Sequence, residues 1–350
     1  MIIKELLTFL ALSLACVGMS SAASARDADP LFTKNSILDA TLVAPLDRIM
    51  QQRDSDEEFP GTFELVIEDG SSLQVPVQVR TRGNYRRRKD ICLFAPLRLN
   101  YKKSEVTDTS LDNQDKVKLV THCQDRSKSY EQAVIKEYLV YRMLNVLSDI
   151  SFRVRLLRIS YVDSDSDDSD EATFAFLIES DKRLAKRLNM DELEVDSVQL
   201  EMLNREYTNL TSLFEYMIGN LDFSPIAGRA GKPCCHNFAL FIDDSEMRWA
   251  IPYDFDLTGF VEPLHHGPNP KYKQRNVLQR VYRGRCYNQE LVPATLQNFR
   301  DKRADVLAVI AEQPDLRKGV RKRIESYIES FYKLLDKEEK LLKKLADTCI

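Results

Sequence analysis

The 350-residue chain lacks the usual signs of a zinc protein and of a nucleic-acid-binding protein. It contains four histidines and seven cysteines, and no two cysteines form a CxxC pair, a spacing common in structural zinc sites. Its formal net charge is −4 at pH 7, so no overall positive field attracts nucleic acid. We therefore expect neither a zinc site nor a nucleic-acid partner.

The chain also has no apolar run of membrane-spanning length after its first 25 residues, so we expect no stable membrane insertion. The first 25 residues have the features of a secretory signal, because Lys4 precedes the apolar run Leu6–Val17 and the small residues Ala23–Ala25 suit cleavage. Cys16 follows Ser-Leu-Ala, a poor match to a lipoprotein box. The prediction is export to the periplasm or outside the cell, without a lipid anchor.

Six cysteines remain after the signal, and an even number in an oxidising compartment predicts disulfide bonds. Cys92 and Cys123 both lie near the ends of predicted strands, so they form one candidate pair. A bond from Cys234 or Cys235 to Cys286 is a second candidate. The spacing alone does not decide the connectivity.

Apolar and polar residues alternate in several segments of the N-terminal half, which is the period of a half-buried strand. TFELVIED and LQVPVQVRTRG lie on either side of a hairpin signal at Gly70–Ser72, and RVRLLRISYVD and ATFAFLIES predict a further strand pair. Helical patterns predict helices over Ile37–Gln51 and Tyr130–Leu147. The basic run Arg86–Lys89 is typical of a solvated face, and a phosphate-binding role is the alternative.

After residue 180 the chain becomes mainly helical, apart from a predicted strand pair in FALFID and RWAIPYDFD. Residues 26–180 predict a strand-rich lobe containing one helix among its strands. Residues 181–350 predict a mainly helical lobe that carries polar loops. The order indicates an α+β protein with two lobes.

Four oxygen-bearing side chains stand in segments that are otherwise apolar: Asp222, Asn237, Asp254 and Asp256. Burying even a neutral polar group without a partner costs roughly 2–7 kcal/mol, so their presence there predicts a function. Carboxylate and amide oxygens are the ligands that hard cations prefer. A divalent-cation site is therefore the first hypothesis.

A lysine and a glutamate upstream form a second candidate feature. Lys118 lies in the middle of the predicted strand KVKLV, and Glu137 lies in the helix that follows. Protein kinases hold nucleotide phosphates with a strand lysine paired to a helix glutamate, so this pair predicts a phosphate contact. An ordinary surface ion pair, worth at most about 1 kcal/mol, is the alternative.

Five segments together resemble a known family: RTRGNYR, VKLVTHC, KEYLVYR, MIGNLD and PYDFDLTG, which lie within residues 75–262. They look like the spore-coat-protein-H (CotH) type of atypical kinase. The resemblance implies a two-lobed protein-kinase-like fold with a strand-rich N-lobe and a helical C-lobe. It also implies an enzyme that uses ATP with Mg²⁺ or Mn²⁺ to phosphorylate a protein or another hydroxyl acceptor.

The resemblance assigns roles to the acidic segments by motif position. Asp222 corresponds to the catalytic aspartate, which orients the acceptor hydroxyl. Asn237 and Asp254 correspond to the metal ligands, and Asp256 is a further candidate ligand. The resemblance therefore implies that these residues line one wall of a nucleotide-binding cleft.

The resemblance also assigns the residues expected to meet the nucleotide phosphates. Arg82, Gly83 and Asn84 correspond to the phosphate-covering loop, where backbone N–H groups and an arginine suit an anion. Lys118 contacts phosphate if the lysine–glutamate pair forms, whereas Arg98 in PLRLNY is the other candidate for that contact. The sequence leaves the choice between them open.

Two other functions remain open at this point. Asp254-Phe255-Asp256-Leu257-Thr258 fits the DxDxT signature of haloacid-dehalogenase-type phosphatases, in which the first aspartate is the nucleophile. The second alternative is a catalytically inactive protein that serves as a binding or envelope scaffold. Neither the acceptor nor the oligomeric state follows from the sequence.

Overall fold

The computed structural model describes residues 28–350, apart from residues 68–69, 167–168 and 170. The predicted signal over residues 1–25, with Cys16, lies outside the described residues. The described part consists of a strand barrel, a long helix that packs against it, and a helical region with a second, smaller sheet.

Seven strands of the described residues close into a barrel. They are β1 (Leu38–Ala44), β2 (Phe59–Val66), β3 (Ser72–Thr81), β4 (Leu97–Tyr101), β5 (Lys116–Val120), β6 (Val154–Asp163) and β7 (Thr173–Ile178). Their order around the barrel is β1-β2-β3-β4-β5-β7-β6. Neighbouring strands are antiparallel except β1 and β6, which are parallel. Apolar side chains fill the interior, as in other small barrels.

The first barrel strand shows that the helix predicted over Ile37–Gln51 is wrong for most of its length. Every second residue of β1 is buried, while the residues between them are more exposed. β1 pairs with β2 on one side and with β6 on the other, which closes the barrel. Helix begins only after Pro45, as the short helix α1 (Leu46–Gln51).

The closed barrel also corrects the predicted fold class. The two-lobed protein-kinase-like fold, with a strand-rich N-lobe and a helical C-lobe, is wrong, because the N-terminal strands form one closed, mixed barrel. The alternating pattern located most of the strands. It carries no information on which strand pairs with which, and the parallel β1–β6 pair decides the closure.

The remaining elements of the described residues are mostly helices. They are α2 (Lys103–Val106), α3 (Lys128–Leu147), α4 (Asp181–Leu188), α5 (Arg205–Ile218), α6 (Val292–Asp301), α7 (Arg303–Ala311), α8 (Lys318–Leu335) and α9 (Glu338–Thr348). The second sheet consists of β8 (Met190–Glu192), β9 (Phe238–Asp243) and β10 (Arg248–Pro252). β9 pairs antiparallel with both of its neighbours, so the strand pair predicted in this region is confirmed.

The long helix predicted from Tyr130 is confirmed as α3. It packs against β6 and β7 of the barrel and against α7 of the helical region. The Tyr141 ring lies 5.7 Å from the Phe176 ring in β7 and 4.7 Å from the Phe255 ring after β10. One continuous hydrophobic cluster therefore joins α3 to both regions.

Three disulfide bonds occur among the described residues. The predicted bond between Cys92 and Cys123 is confirmed. The predicted bond from Cys234 or Cys235 to Cys286 is wrong, because the two adjacent cysteines bond to each other and Cys286 bonds to Cys349. Disulfides belong to oxidising compartments, so they are compatible with export. No helix within the described residues has the length and apolar character needed to cross a membrane.

Helix α5 ends at a glycine that the fold requires, which allows a direct test. Gly219 has a φ of +70°, and an added Cβ would collide with the hydroxyl of Tyr327. We expect Gly219→Ala to lower the free energy of unfolding by about 1–3 kcal/mol. Urea denaturation measures this change.

Gly319, near the start of α8, is the matched control, because an added Cβ there meets no atom within 4 Å. We expect Gly319→Ala to raise the free energy of unfolding by about 0.5–1 kcal/mol, since alanine loses less backbone entropy on folding. Equal effects of the two substitutions would contradict the packing described for Gly219.

Candidate functional site

A cleft of about 810 Å³ lies between the barrel and the second sheet, which is within the usual range of small-molecule sites. The structure brings eight of the ten predicted site residues to its walls: Arg82, Gly83, Asn84, Lys118, Asp222, Asn237, Asp254 and Asp256. Glu137 and Arg98 do not line the cleft, but each is next to a residue that does: Glu137 lies 3.5 Å from Arg86, and Arg98 pairs with Lys118 in the β4–β5 register.

The loop after β3 forms one rim of the cleft. Gly83 has a φ of +84° with open space around its Cα, so glycine is needed there for its backbone conformation. The neighbouring Asn84 is exposed. The side chain of Arg82 makes no hydrogen bond or ion pair with another described residue, which leaves its guanidinium available to an anion in the cleft.

Lys118 lies on the barrel wall of the cleft, but its partner differs from the predicted one. Its Nζ lies 3.1 and 3.2 Å from the two carboxylate oxygens of Asp181, the first residue of α4. It also lies 5.0 Å from the ring centre of Tyr253. The prediction that Lys118 pairs with Glu137 is therefore wrong, because α4 begins beside the strand lysine and supplies a nearer carboxylate.

Arg98 lies next to Lys118, since the two residues face each other in the β4–β5 pairing. Burial and the charges of Arg80 and Arg82 lower the pKa of Arg98. Its side chain, like that of Arg82, has no hydrogen-bond or ion-pair partner among the described residues. Arg82, Arg98 and Lys118 thus form a cationic cluster beside the cleft, and we call it the cationic wall.

Glu137 pairs with Arg86 instead of Lys118. Arg86 Nη1 lies 3.5 Å from Glu137, and Arg86 Nε lies 3.1 Å from Asp256. Burial, together with the charges of Asp256 and Asp254, raises the pKa of Glu137 despite the opposing charge of Arg86. The Oε1 atom of Glu137 has no hydrogen-bond partner.

Arg86 is a site residue that the sequence did not single out. It stands in the basic run Arg86–Lys89, whose pattern favours a solvated face, and nothing local distinguishes it from its neighbours. In the structure the Arg86 side chain is 11% exposed, whereas that of Arg88 is 56% exposed. Its two buried partners come from α3 and from the segment after β10, and only the tertiary structure brings them together.

The loop after α5 presents Asp222 to the cleft. Buried Asn220 accepts a hydrogen bond from the Asp222 N–H at 2.9 Å, and Asn237 Nδ2 donates to the Asp222 carbonyl at 2.6 Å. Asn237 Nδ2 also lies 3.3 Å from the Asp222 carboxylate. These contacts join two predicted site residues despite the long loop between them.

The Asp222 carboxylate is bound by two basic side chains. Arg229 Nη2 lies 3.0 Å from both carboxylate oxygens, and His236 Nε2 lies 2.9 Å from Oδ1. Burial raises the pKa of Asp222, but the His236 hydrogen bond and the nearby charges outweigh it and bring the pKa below its usual value. Asp222 is therefore an ionised hydrogen-bond acceptor at neutral pH.

Asp254 and Asp256 follow β10 at the base of the cleft. Asp254 has a φ of +63° and donates its N–H to the Tyr141 hydroxyl at 2.9 Å. Asn237 also has a left-handed φ, of +56°, and such conformations often mark functional sites. Burial and the charge of Asp254 raise the pKa of Asp256 to about 7, against the opposing charge of Arg86.

The arrangement bears on two of the predicted chemistries. Within the described residues, no three His, Cys, Asp or Glu side chains form a cluster that could hold a metal ion by themselves. The strand before Asp254 belongs to an antiparallel sheet, whereas phosphatases with the DxDxT motif carry it at the start of a parallel α/β core. The surroundings of Asp254 therefore give that alternative no support.

A buried glutamate behind the Asp222 loop provides a pH test of the site region. Glu215 of α5 is 1% exposed, and neither of its carboxylate oxygens has a hydrogen-bond partner. Burial raises its pKa from 4.5 to about 8, although Asn220 and Arg283 partly oppose the shift. Between these two pH values the folded state holds a proton that the unfolded state has lost.

Stability should therefore fall as pH rises from about 4.5 to about 8, by up to ~1.4 kcal/mol per pH unit. We expect the difference in free energy of unfolding between Glu215→Gln and the wild type to increase in favour of the variant across this window. Glu206→Gln, at an exposed position of the same helix, is the control and should show no such trend. A pH-independent difference for Glu215→Gln would refute the buried, protonated glutamate.

Comparisons with known proteins assign the chain to no family. No family model matches it, and a search of curated proteins finds no match. The residues of the cleft are therefore the basis for a functional proposal.

Proposed function

We propose that the protein is an exported phosphotransferase that binds ATP with Mg²⁺ or Mn²⁺ in the cleft and phosphorylates a hydroxyl of a protein or another acceptor. One observation carries the proposal: two members of the cationic wall, Arg82 and Lys118, and a set of acidic and amide side chains line the same cleft. Phosphoryl transfer depends on such positioning and charge stabilisation more than on covalent chemistry by the protein. The proposal rests on these residues and not on the fold class.

The cationic wall supports binding of the nucleotide phosphates. Arg82 and Arg98 lack partners among the described residues, and their mutual repulsion contributes to the lowered pKa of Arg98. A bound polyphosphate would relieve that repulsion and accept charge-assisted hydrogen bonds. Lys118 adds a third positive charge, and its ion pair with Asp181 fixes the orientation of its side chain.

The oxygen atoms across the cleft fit a divalent cation that arrives with the nucleotide. Asn237 donates through Nδ2 to Asp222, which leaves its amide oxygen for a cation. The Asp254 carboxylate accepts no hydrogen bond from a described residue, whereas Asp256 is engaged by Arg86. Mg²⁺ is commonly bound by one or two protein side chains together with substrate phosphates. When bound, the cation neutralises part of the negative charge of the phosphates.

Asp222 is suited to orient the acceptor hydroxyl. Its lowered pKa keeps the carboxylate ionised, so that it accepts a hydrogen bond from a hydroxyl. Arg229 occupies both oxygens, but its side chain is 56% exposed, and ion pairs at such exposure contribute little to stability. An acceptor can therefore displace Arg229 at small cost.

The occupied carboxylate also favours a second candidate function. With Arg229 and His236 on Asp222, the cleft could bind a nucleotide without transferring its phosphate. The protein would then be the catalytically inactive binding scaffold. Binding and turnover must accordingly be measured separately.

Nucleotide binding is tested by thermal unfolding and calorimetry with ATP and Mn²⁺. A ligand at about 100 times its Kd stabilises the native state by about 2.7 kcal/mol, and we expect a stabilisation of this order for the wild type. Asp254→Ala should reduce it strongly, because a cation ligand is lost. Asp305→Ala, at an exposed position on α7, should leave it unchanged. Absence of stabilisation in the wild type would exclude the proposal.

Turnover is tested with Asp222→Asn, which keeps the shape of the side chain and removes its charge. We expect unchanged ATP binding and a loss of phosphate transfer of about 10²–10⁴-fold, the usual contribution of a positioned acid or base. Transfer of ³²P from labelled ATP to a panel of proteins measures this change. Binding by the wild type without any transfer would identify the scaffold instead of the enzyme.

A further inference from the structure

A single arginine outside the cleft walls holds the loop that carries Asp222. Arg283 Nη1 donates to the carbonyl of Leu221 at 3.1 Å and to the carbonyl of Phe223 at 2.8 Å. These are the residues immediately before and after Asp222. The Asp222 carbonyl itself accepts from Asn237, so three consecutive carbonyls of the loop are held by side-chain donors.

We propose that Arg283 is a positioning residue that fixes the direction of the Asp222 carboxylate by holding the backbone on both sides of it. The inference rests on the proposed function of Asp222. Fixing the two flanking peptide groups restricts the backbone at Asp222, and thereby the direction in which its Cα–Cβ bond points. A displacement of about 1 Å in a reacting group can cost 10²-fold in rate, so such restriction matters for transfer.

Aromatic rings hold the Arg283 guanidinium in place. Its central carbon lies 4.4 Å from the ring centre of Phe223 and 4.7 Å from that of Tyr272. Phe223 in turn packs against Phe238 of β9 at 5.7 Å. A planar guanidinium suits this stacking and can direct donors to two carbonyls, whereas a lysine ammonium cannot reproduce the planar fork.

The charge around Arg283 also points to a role in the loop. Its Nε atom is buried without a hydrogen-bond partner, as are both carboxylate oxygens of Glu215 beneath the loop. Burial lowers the pKa of Arg283, while the charge of Asp222 acts against the shift. Arg283 is half-buried, and withdrawing part of an incompletely paired arginine from water costs stability. Its hydrogen bonds to the two loop carbonyls offset part of this cost.

Arg280 provides a matched control three positions earlier in the chain. Its guanidinium also donates to backbone carbonyls, those of Met217 and Tyr327, and stacks on a tyrosine ring at 3.8 Å. It holds the end of α5 and not the Asp222 loop. Substitution of Arg280 therefore reproduces the loss of a half-buried, stacked arginine without releasing Asp222.

The kinetic test compares Arg283→Lys with Arg280→Lys in the full protein. We expect Arg283→Lys to lower kcat for phosphate transfer at least about tenfold, with the KM for ATP changed less than about twofold, because the cationic wall is untouched. Arg280→Lys should keep both values near those of the wild type. Equal losses of kcat in the two variants would show that Arg283 has only a structural role and would contradict the inference.

A second readout does not depend on turnover, so failure of the proposed function can be distinguished from failure of this inference. His236 Nε2 lies 2.9 Å from Asp222 Oδ1, and the chain has only four histidines. The NMR signals of the His236 ring therefore report on the position of the carboxylate. We expect them to shift in Arg283→Lys and in Asp222→Asn, but not in Arg280→Lys.

Unchanged His236 signals in a folded Arg283→Lys protein would overturn the inference even if the enzyme is active. If the wild type shows no transfer activity but the His236 signals of Arg283→Lys still differ from those of the wild type, the proposed function is removed. The positioning of Asp222 by Arg283 is then still supported. If Arg283→Lys does not fold, Tyr272→Leu removes one stacking face of the guanidinium and should shift the same signals. An unshifted spectrum in that folded variant would then overturn the inference.

Discussion

The largely buried guanidinium of Arg86 is the contact on which the cleft depends. It lies 3.1 Å from Asp256 and 3.5 Å from Glu137, so one side chain joins the loop after β3, the segment after β10 and helix α3. Two carboxylates share one arginine in this arrangement, and burying such groups costs several kcal/mol per ion before their attraction is counted. Burial and the charge of Asp254 accordingly raise the pKa of Asp256. A hydrophobic contact would join these elements at lower cost, which indicates that the network serves the cleft.

The cleft carries charges of both signs on each side. Arg82 and Lys118 line the barrel side, where Asp181 pairs with Lys118. Asp222 lines the opposite side, where Arg229 and His236 contact its carboxylate. Charges act more strongly on each other in a partly desolvated cleft than in water, so fixed side chains can favour a charged transition state without reorganising.

Eight of the ten predicted site residues line the cleft, but the contacts between them did not follow from the sequence. Polar residues in apolar segments located Asp222, Asn237 and Asp254, and the structure brings all three to one cleft. The predicted partner of Lys118 was wrong, because Asp181 at the start of α4 lies nearer than Glu137. Arg86 was hidden in a basic run. Arg283 stands in a loop-rich segment with no pattern that connects it to Asp222.

Most of the barrel strands, helix α3 and the bond between Cys92 and Cys123 could be predicted from the sequence by itself. These features depend on local burial periods and on neighbouring strand ends, which the order of residues records. Tertiary structure alone decided the closure of the barrel through β1 and β6, the bonding of Cys286 to Cys349, and the partners of Lys118, Arg86 and Glu137. In each case several chemically equivalent partners are available in the sequence. The partner that is used depends on which segments the packed core brings within a few ångströms of each other.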